Sequence, residues 1–221
     1  MKASTCRLVV LISGRGSNMQ AIVQAAQGLP NTEVCAVIAN RPDAAGLGWA
    51  DKQGLATRVV SHAQHDSREH FDTVLGDAID TFAPDYILLA GFMRVLTAGF
   101  VHRFANRVIN IHPSLLPAFP GLHTHRKALE MGVQWHGCTI HFVTPEVDHG
   151  PIIAQGIVPV QVSDTEATLA ERVLELEHVM YGQVVQWLAE GRVSIDQQGR
   201  ASVKGVHARG FMLEATMAGG Q

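Results

Sequence analysis

The chain has 221 residues, 47% of them hydrophobic and 17% charged, and its formal net charge is −3. A length and apolar content of this order are typical of one large globular domain with at most a small appendage. The near-neutral charge gives no reason to expect nucleic acid or an anionic membrane as a partner. No apolar run approaches the ~20 residues of a membrane-spanning helix.

The N-terminus and the cysteines indicate where the protein works. The first residues lead straight into a strand-like segment and lack the apolar core and cleavage site of a secretory signal. Cys6, Cys35 and Cys138 are widely spaced, lie in or beside apolar runs, and form no C-x-x-C pair. Such a set argues against a disulfide framework and against a structural zinc site. We therefore expect a cytoplasmic protein with reduced cysteines.

The first half of the chain alternates apolar strand-like runs with segments of helical spacing. The runs are rich in Val, Ile and Leu, which is typical of strands buried on both faces of a sheet. Asp66 followed by Glu69 resembles a capping box at the start of a helix. Such alternation predicts right-handed crossovers, and therefore an α/β fold with a mostly parallel twisted sheet and helices on both faces. The predicted order is strand 7–13, helix 18–27, strand 33–39, helix 42–54, strand 57–60, helix 66–82, strand 86–90, helix 97–104 and strand 107–111.

A glycine-rich loop lies between the first strand and the first helix. Gly14 and Gly16 let the backbone turn sharply and approach a ligand, and the helix start leaves N–H groups unpaired for an anion. A dinucleotide fingerprint would need glycine where Met19 stands and an acidic residue at a strand end about 20 residues later. The loop therefore favours a monophosphate over a dinucleotide. A plain tight turn is the alternative.

The run Asn110–Pro117 carries residues suited to catalysis. Asn110 and His112 are two residues apart on a strand, so their side chains project from the same face. Pro113 ends the strand because it has no N–H to donate. An amide and an imidazole together can bind an oxygen as it becomes negative. Asp148, in a later turn-rich stretch, could orient the imidazole. The alternative is a plain strand end whose amide caps the next loop.

The second half of the chain has a different order of elements. Strand-like runs at 137–143 and 152–160 are separated only by a short turn-rich stretch. Because that stretch is too short for a helical crossover, we expect the two strands to pair antiparallel. A long helix is predicted over 164–190 and a terminal hairpin over 193–203. Residues from about Lys204 onward have weak patterning, and no regular element is predicted there.

The 12 histidines raise the question of a metal site. His123 and His125 form an H-x-H pair, and His136, His141 and His149 lie nearby in sequence. No H-x-x-x-H or H-E-x-x-H helix is present, so we expect no metal. We expect His123, His125 and His141 to pack around the candidate site and to hydrogen-bond its loops.

Four further side chains have an ordinary interpretation. Glu177, Arg68 and Arg94 are by default solvated charges, and Met93 is by default part of the core. Arg94 directly follows a buried strand, which makes it the better candidate for binding a carboxylate.

Taken together, these segments resemble the phosphoribosylglycinamide formyltransferases, a folate-dependent formyltransferase family of purine synthesis, over residues 7–191. The Asn-x-His-Pro-Ser run is shared by the wider superfamily, whereas the Ser-Gly-x-Gly-Ser-Asn start and the Gly-Leu-His-Thr-His continuation single out this family. The chain departs from the family pattern at His149, at Gly182 and in the tail after Gly191. The matching segments are Ser13–Asn18, Leu89–Arg94, Asn110–Pro117, Phe119–His125, His136–Val143, Val147–Pro151 and Glu177–His178.

The resemblance implies transfer of a formyl group from 10-formyltetrahydrofolate to the amine of 5′-phosphoribosylglycinamide, without a metal. It also implies a Rossmann-like formyltransferase fold in which one late strand is antiparallel. Asn110, His112 and Asp148 match the catalytic trio. The remaining matches are the phosphate cradle Gly16, Ser17 and Asn18, the ribonucleotide contact Glu177, and the folate-site residues Arg68, Met93, Arg94, Val143 and Thr144.

The resemblance further implies a catalytic domain over 1–191, with a C-terminal hairpin and loose tail over 192–221. The expected partners are small-molecule substrates, without nucleic acid or membrane, and the expected assembly is a monomer or a homodimer. A methionyl-tRNA formyltransferase would need a further C-terminal domain, and a formyltetrahydrofolate deformylase usually has an N-terminal regulatory domain. A non-catalytic nucleotide- or folate-binding module is the alternative of a different class, and the intact trio argues against it.

Overall fold

The computed structural model describes residues 5–213 and arranges them around an eight-stranded sheet. The strands are β1 Cys6–Ile12, β2 Thr32–Ala39, β3 Thr57–Val59, β4 Tyr86–Leu89, β5 Val108–His112, β6 Trp135–Phe142, β7 Ile152–Pro159, β8 Val193–Ile195, β9 Ala201–Val203 and β10 Gly210–Met212. The α-helices are α1 Ser17–Gln27, α2 Ala45–Lys52, α3 Arg68–Asp80, α4 Ala98–Arg103, α5 Thr124–Glu130 and α6 Glu166–Ala189, and a 3-10 turn spans His62–Gln64. None of the helices within residues 5–213 combines the length and the apolar content needed to cross a membrane.

The strand order across the main sheet is β10-β7-β6-β5-β4-β1-β2-β3. Neighbours among β1 to β5 are parallel, and β10 is parallel to β7. β6 runs antiparallel to both β5 and β7, so the described part of this sheet has a single reversed strand. The prediction of a mostly parallel sheet with one late antiparallel strand is confirmed. The predicted terminal hairpin is also present, as the antiparallel pair β8–β9.

Alternate residues of the central strands face two separate cores. On β1, Leu8, Val10 and Ile12 pack into a core that includes α1 and α6, whereas Val9 and Leu11 pack into a core with α3 and α4. All five side chains are fully buried, and burial of each contributes about 1.5–3 kcal/mol. A strand with two such faces has to be apolar at every position, which explains the continuous apolar run in the sequence.

The cap of α3 and the presence of α5 differ from the sequence-based expectation. The N-cap of α3 is Ser67 rather than Asp66, because the Ser67 hydroxyl accepts the His70 N–H at 3.1 Å. Helix α5 is not predicted at all. It has only seven residues and begins after His123, whose backbone is left-handed, and its Ala128 is completely buried in the core with α6. A helix this short depends on packing more than on its own propensity.

Residues after Lys204 add a strand that the sequence pattern does not predict. Gly210–Met212 pairs in parallel with β7 at the edge of the sheet. The neighbouring Arg209 donates from one guanidinium nitrogen to three carbonyl groups of β7 and β9. Distant partners therefore hold β10 in place. The last part of the tail that was expected to be loose, residues 214–221, lies outside the described residues.

Candidate active site

A row of polar side chains lies on one face of β5 and β6. In the register of the two strands, Asn110 is opposite His141 and His112 is opposite Thr139, and opposite partners share a face of the sheet. The loop after β5 covers the row, since the Leu116 N–H donates to Thr139 Oγ1 at 3.1 Å. The amide and the imidazole that the sequence places on one face are therefore joined there by a second imidazole.

His112 is held between two hydrogen-bond acceptors. Its Nε2 lies 2.9 Å from the Phe119 carbonyl oxygen, and its Nδ1 lies 3.5 Å from Oδ2 of Asp148. A carbonyl oxygen can only accept, so Nε2 carries a hydrogen, and only the protonated ring can donate to both acceptors. The residue is 6% exposed, which leaves little room for water to compete. The ring is therefore fixed with Nε2 bonded to Phe119 and Nδ1 facing the carboxylate of Asp148.

Asp148 reaches the polar row from the loop between β6 and β7. Its backbone φ of 58° lies in the left-handed region, which Asp and Asn tolerate better than most residues. The Gly121 N–H donates to Oδ2 at 2.9 Å, and His141 Nε2 lies 3.9 Å from Oδ1. The side chain is 9% exposed, although Glu146 and Val147 before it are exposed. The loop thus turns one carboxylate inward, where an amide and two imidazoles surround it.

His141 orients the amide of Asn110. Its Nδ1 lies 2.9 Å from the Phe142 carbonyl oxygen, to which it must donate, and burial lowers the pKa of the ring. The neutral ring then has a free lone pair on Nε2, which lies 3.4 Å from Asn110 Nδ2. One amide hydrogen points at His141, and the second is left for a ligand. Sequence reasoning placed His141 near the site but missed this contact, which becomes visible only once β5 and β6 are paired.

The glycine loop ends β1 and opens α1. Gly16 has a φ of 74° and precedes the helix without a side-chain cap. Within the described chain, the N–H groups of Gly16, Ser17 and Asn18 have no hydrogen-bond partner. The Gly46 N–H at the start of α2 donates to the Gly14 carbonyl at 3.0 Å. A Cβ at position 46 would lie 2.7 Å from Ile12 Cδ1 and 3.1 Å from the Arg15 carbonyl oxygen, so α2 can approach the loop this closely only with glycine there. The loop therefore presents unpaired donors at the positive end of a helix, which is an anion site.

Glu177 on α6 is buried beside this loop. It is 6% exposed, and Asn18 Nδ2 donates to its Oε2 at 2.7 Å. Burial raises the pKa of the Glu177 carboxyl to about 7, against a smaller lowering by the bond from Asn18. Among residues 5–213, the buried Oδ1 of Asn18 has no partner. The default interpretation of Glu177 as a solvated charge is therefore wrong. The pair instead offers buried acceptors to hydroxyl groups of a ligand.

Three of the five predicted folate-site residues lie on α3 and on the loop after β4. The Met93 N–H donates to Ser13 Oγ at 2.8 Å, which ties that loop to the end of β1. Met93 is 75% exposed, so its default interpretation as a core residue is wrong. The guanidinium of Arg94 lies 5.2 Å from the Phe71 ring centroid, a cation–π contact. Arg68 stands apart, exposed at the first position of α3.

The other two predicted folate-site residues begin the loop that carries Asp148. The Val143 N–H donates to the Val108 carbonyl on β5 at 2.8 Å. The Thr144 hydroxyl donates to the Glu146 carbonyl at 3.0 Å. The structure therefore places both residues between the strand that carries Asn110 and His112 and the turn that carries the acid.

A second histidine pair supports the loop over His112. His136 Nε2 and His125 Nδ1 lie 3.2 Å apart, and burial lowers the pKa of His125 and lowers that of His136 to about 4. The His136 ring also contacts Phe119, with 6.1 Å between centroids, and the Phe119 carbonyl accepts from His112. In the part of the chain that the structure describes, no group of three or more His, Cys, Asp or Glu residues is arranged to hold a metal.

Comparisons with known sequences relate the chain to one family. Residues 6–185 match the sequence model of the family described as formyl transferase. The chain is 49% identical over 191 residues to the phosphoribosylglycinamide formyltransferase of Escherichia coli (strain K12), a match that covers 86% of this chain and 90% of the relative. It is 43% identical over 196 residues to the trifunctional purine biosynthetic protein adenosine-3 of Homo sapiens, covering 88% of this chain and 19% of that protein.

Solved structures have the same fold. The phosphoribosylglycinamide formyltransferase from Coxiella burnetii superimposes with a TM-score of 0.87 at 41% identity, covering 96% of this chain and 100% of that one. Glycinamide ribonucleotide transformylase 1 from Symbiobacterium toebii superimposes with a TM-score of 0.86 at 44% identity, covering 90% of this chain and 94% of that one.

Proposed function

The chain belongs to the formyl transferase family, and on this premise we propose that it transfers the formyl group of 10-formyltetrahydrofolate to the primary amine of 5′-phosphoribosylglycinamide. The observation that carries the proposal is the cluster of polar side chains around His141 and Asp148. His141 Nε2 lies 3.4 Å from Asn110 Nδ2 and 3.9 Å from Asp148 Oδ1, and His112 Nδ1 lies 3.5 Å from Asp148 Oδ2. The relative at 49% identity, which carries the name of this activity, supports the same reaction.

We assign the phosphate of the ribonucleotide to the glycine loop. The free N–H groups of Gly16, Ser17 and Asn18 can surround a phosphate monoester, and the dipole of the 11-residue helix α1 favours its negative charge. The acceptors of Glu177 and Asn18 lie beside the loop and suit the hydroxyl groups of a ribose. With its phosphate bound at the end of β1, the ribonucleotide would extend its amine toward Asn110 and His112 at the end of β5.

Asn110 and His112 would stabilise the negative charge of the reaction. When the amine adds to the formyl carbon, charge develops on the former carbonyl oxygen. The free amide hydrogen of Asn110, whose amide His141 orients, can donate to that oxygen. The His112 ring, whose two nitrogens face Phe119 and Asp148, can supply positive charge beside it when protonated. Donors fixed before the charge appears stabilise the transition state without further reorganisation. We therefore propose that the reaction proceeds without a metal.

Asp148 would move the proton that the reaction has to relocate. The attacking amine loses a proton and the departing N10 gains one. A carboxylate 3.5 Å from the His112 ring can accept that proton through a water molecule and return it to the leaving nitrogen, while it pairs with the charged ring. The low exposure of the carboxylate keeps bulk water away from this step.

We assign the folate to the surface formed by α3 and the loops after β4 and β6. The exposed Met93 offers apolar surface, and Arg68 and Arg94 offer guanidinium groups that suit carboxylates. Val143 and Thr144 complete this surface next to Asp148.

An absorbance assay of formyl loss tests the proposal. Purified protein is mixed with 10-formyltetrahydrofolate, with and without 5′-phosphoribosylglycinamide. We expect tetrahydrofolate to form only when the ribonucleotide is present. Formyl loss without the ribonucleotide would support the deformylase alternative, and binding of both compounds without turnover would support a non-catalytic module.

A further inference from the structure

The loop that carries Asp148 is joined by a backbone hydrogen bond where it leaves the sheet, but its own backbone makes no such bonds to the described residues beyond that point. The Phe142 N–H donates to the Pro151 carbonyl at 3.0 Å, and Gly150 packs so closely under Phe142 that no side chain would fit. Between these anchors, the described residues 144–150 make no backbone–backbone hydrogen bond. Other contacts must therefore hold the acid in place.

Two hydrogen bonds from side chains to the backbone stiffen the tip of this loop. The Thr144 hydroxyl donates to the Glu146 carbonyl at 3.0 Å, and the His149 Nδ1–H donates to the Val147 carbonyl at 2.7 Å. His149 Nε2 also lies 3.7 Å from Oε1 of Glu146. The imidazole therefore bridges the loop from one side of Asp148 to the other.

The bridge encloses a residue with a strained backbone. The φ of Asp148 is 58°, a conformation that non-glycine residues adopt at a cost. Its carboxylate is useful only while it stays within reach of His112 and Gly121. The His149 side chain is 49% exposed and adds little to the packed core, so its contribution lies in its hydrogen bonds.

We propose that His149 is a positioning residue for Asp148. Its hydrogen bond to the Val147 carbonyl favours the left-handed conformation of Asp148, and this conformation keeps the carboxylate beside His112. Without the bridge, the loop samples turns in which the carboxylate is withdrawn, and turnover falls with the fraction of competent molecules. The inference rests on the proposed formyl transfer for its catalytic part, and on geometry alone for the loop.

Three variants test the catalytic part. His149→Ala should lower kcat about twofold to threefold, because losing one hydrogen bond weakens docking of the carboxylate about threefold to tenfold and this is divided between the docked and undocked populations. The KM for the ribonucleotide and the thermal midpoint should be unchanged. His149→Asn should restore most of the rate, because its amide can donate to the same carbonyl. His207→Ala removes another exposed histidine, between β9 and β10, and should match the wild type.

Hydrogen exchange of the Gly121 amide tests the loop without any substrate. That N–H donates to Asp148 Oδ2, so its protection reports whether the carboxylate is docked. We expect exchange at Gly121 to be about twofold to threefold faster in His149→Ala than in the wild type. His149→Asn should again be close to the wild type.

The outcomes separate this inference from the proposed function. Wild-type protein without ribonucleotide-dependent turnover would overturn the proposed function, and Gly121 exchange would still decide the role of His149 in the loop. Turnover in the wild type that is unaffected by His149→Ala overturns the positioning role. A loss of turnover without faster Gly121 exchange also overturns the positioning role, because the carboxylate would then still be docked. A loss of turnover that His149→Asn does not restore overturns it too, because the hydrogen bond to the Val147 carbonyl would then not be what matters.

Discussion

The carboxyl of Glu177 gives the sharpest thermodynamic prediction. The group is buried against α1, and burial raises its pKa to about 7 from an ordinary value of 4.5. Glu177→Gln removes the ionisable group but keeps an oxygen that can accept the bond from Asn18 Nδ2. The variant should therefore differ from the wild type in how its stability depends on pH.

The size of the effect follows from the difference between the folded and unfolded pKa. A difference of about 2.5, at 1.36 kcal/mol for each unit of pKa, is about 3 kcal/mol. Because the folded chain holds this proton more tightly than the unfolded chain, the stabilisation is complete below about pH 4.5. It is lost as the pH rises through about 7. The free energy of unfolding of the wild type should fall relative to Glu177→Gln over this window.

Urea unfolding of the two proteins at a series of pH values measures this difference. We expect the free energies of unfolding to differ by about 3 kcal/mol more at pH 8 than at pH 4.5, with the variant favoured at the higher pH. Glu175→Gln, at an exposed position of the same helix, serves as the control and should follow the wild type. Parallel curves for wild type and Glu177→Gln would refute the reasoning, since the carboxyl would then titrate alike in both states.

Three further substitutions test the catalytic geometry by steady-state kinetics of formyl transfer. Asn110→Ala should lower kcat by roughly 10²–10³ through loss of one oxyanion donor, and near-wild-type turnover would remove Asn110 from the mechanism. Asp148→Asn should cost at least as much and should change the pH profile of kcat, because an amide neither accepts the proton nor pairs with His112; an unchanged profile would contradict that pairing. His141→Phe should lower kcat roughly tenfold at constant KM, because the Asn110 amide loses the acceptor that orients it; an unchanged kcat would show that the amide needs no such partner.

Several elements of the fold follow from short-range patterns in the chain. The continuous apolar run at β1 predicts a strand buried on both faces, and both faces are buried. The short stretch before Ile152 leaves no room for a crossover, which is why the antiparallel pairing of β6 and β7 was predictable. The N-cap of α3 at Ser67 could not be predicted in this way, because Asp66 and Ser67 are both good N-cap residues and only the helix geometry selects between them.

The candidate site likewise has some features that short-range patterns predict and others that they do not. Strand parity alone predicts that Asn110 and His112 share a face, and glycine spacing alone predicts an anion site before α1. The contact between Asn18 and Glu177 joins residues 159 positions apart, and the contact between Gly121 and Asp148 joins residues 27 positions apart. No local pattern specifies contacts at such separations.

By itself, then, the sequence determined most of the elements, though not α5 or β10, together with their faces and the chemical types available at two strand ends. Periodicity and glycine or proline chemistry act over a few residues, and these features depend only on near neighbours in the chain. Only the tertiary structure decided which side chains meet. It brought His141 opposite Asn110 through strand register, made Glu177 a buried acid through helix packing, and added β10 at the sheet edge. Register and burial depend on the whole packed chain, and these are the quantities that set hydrogen-bond partners and the pKa of a buried group.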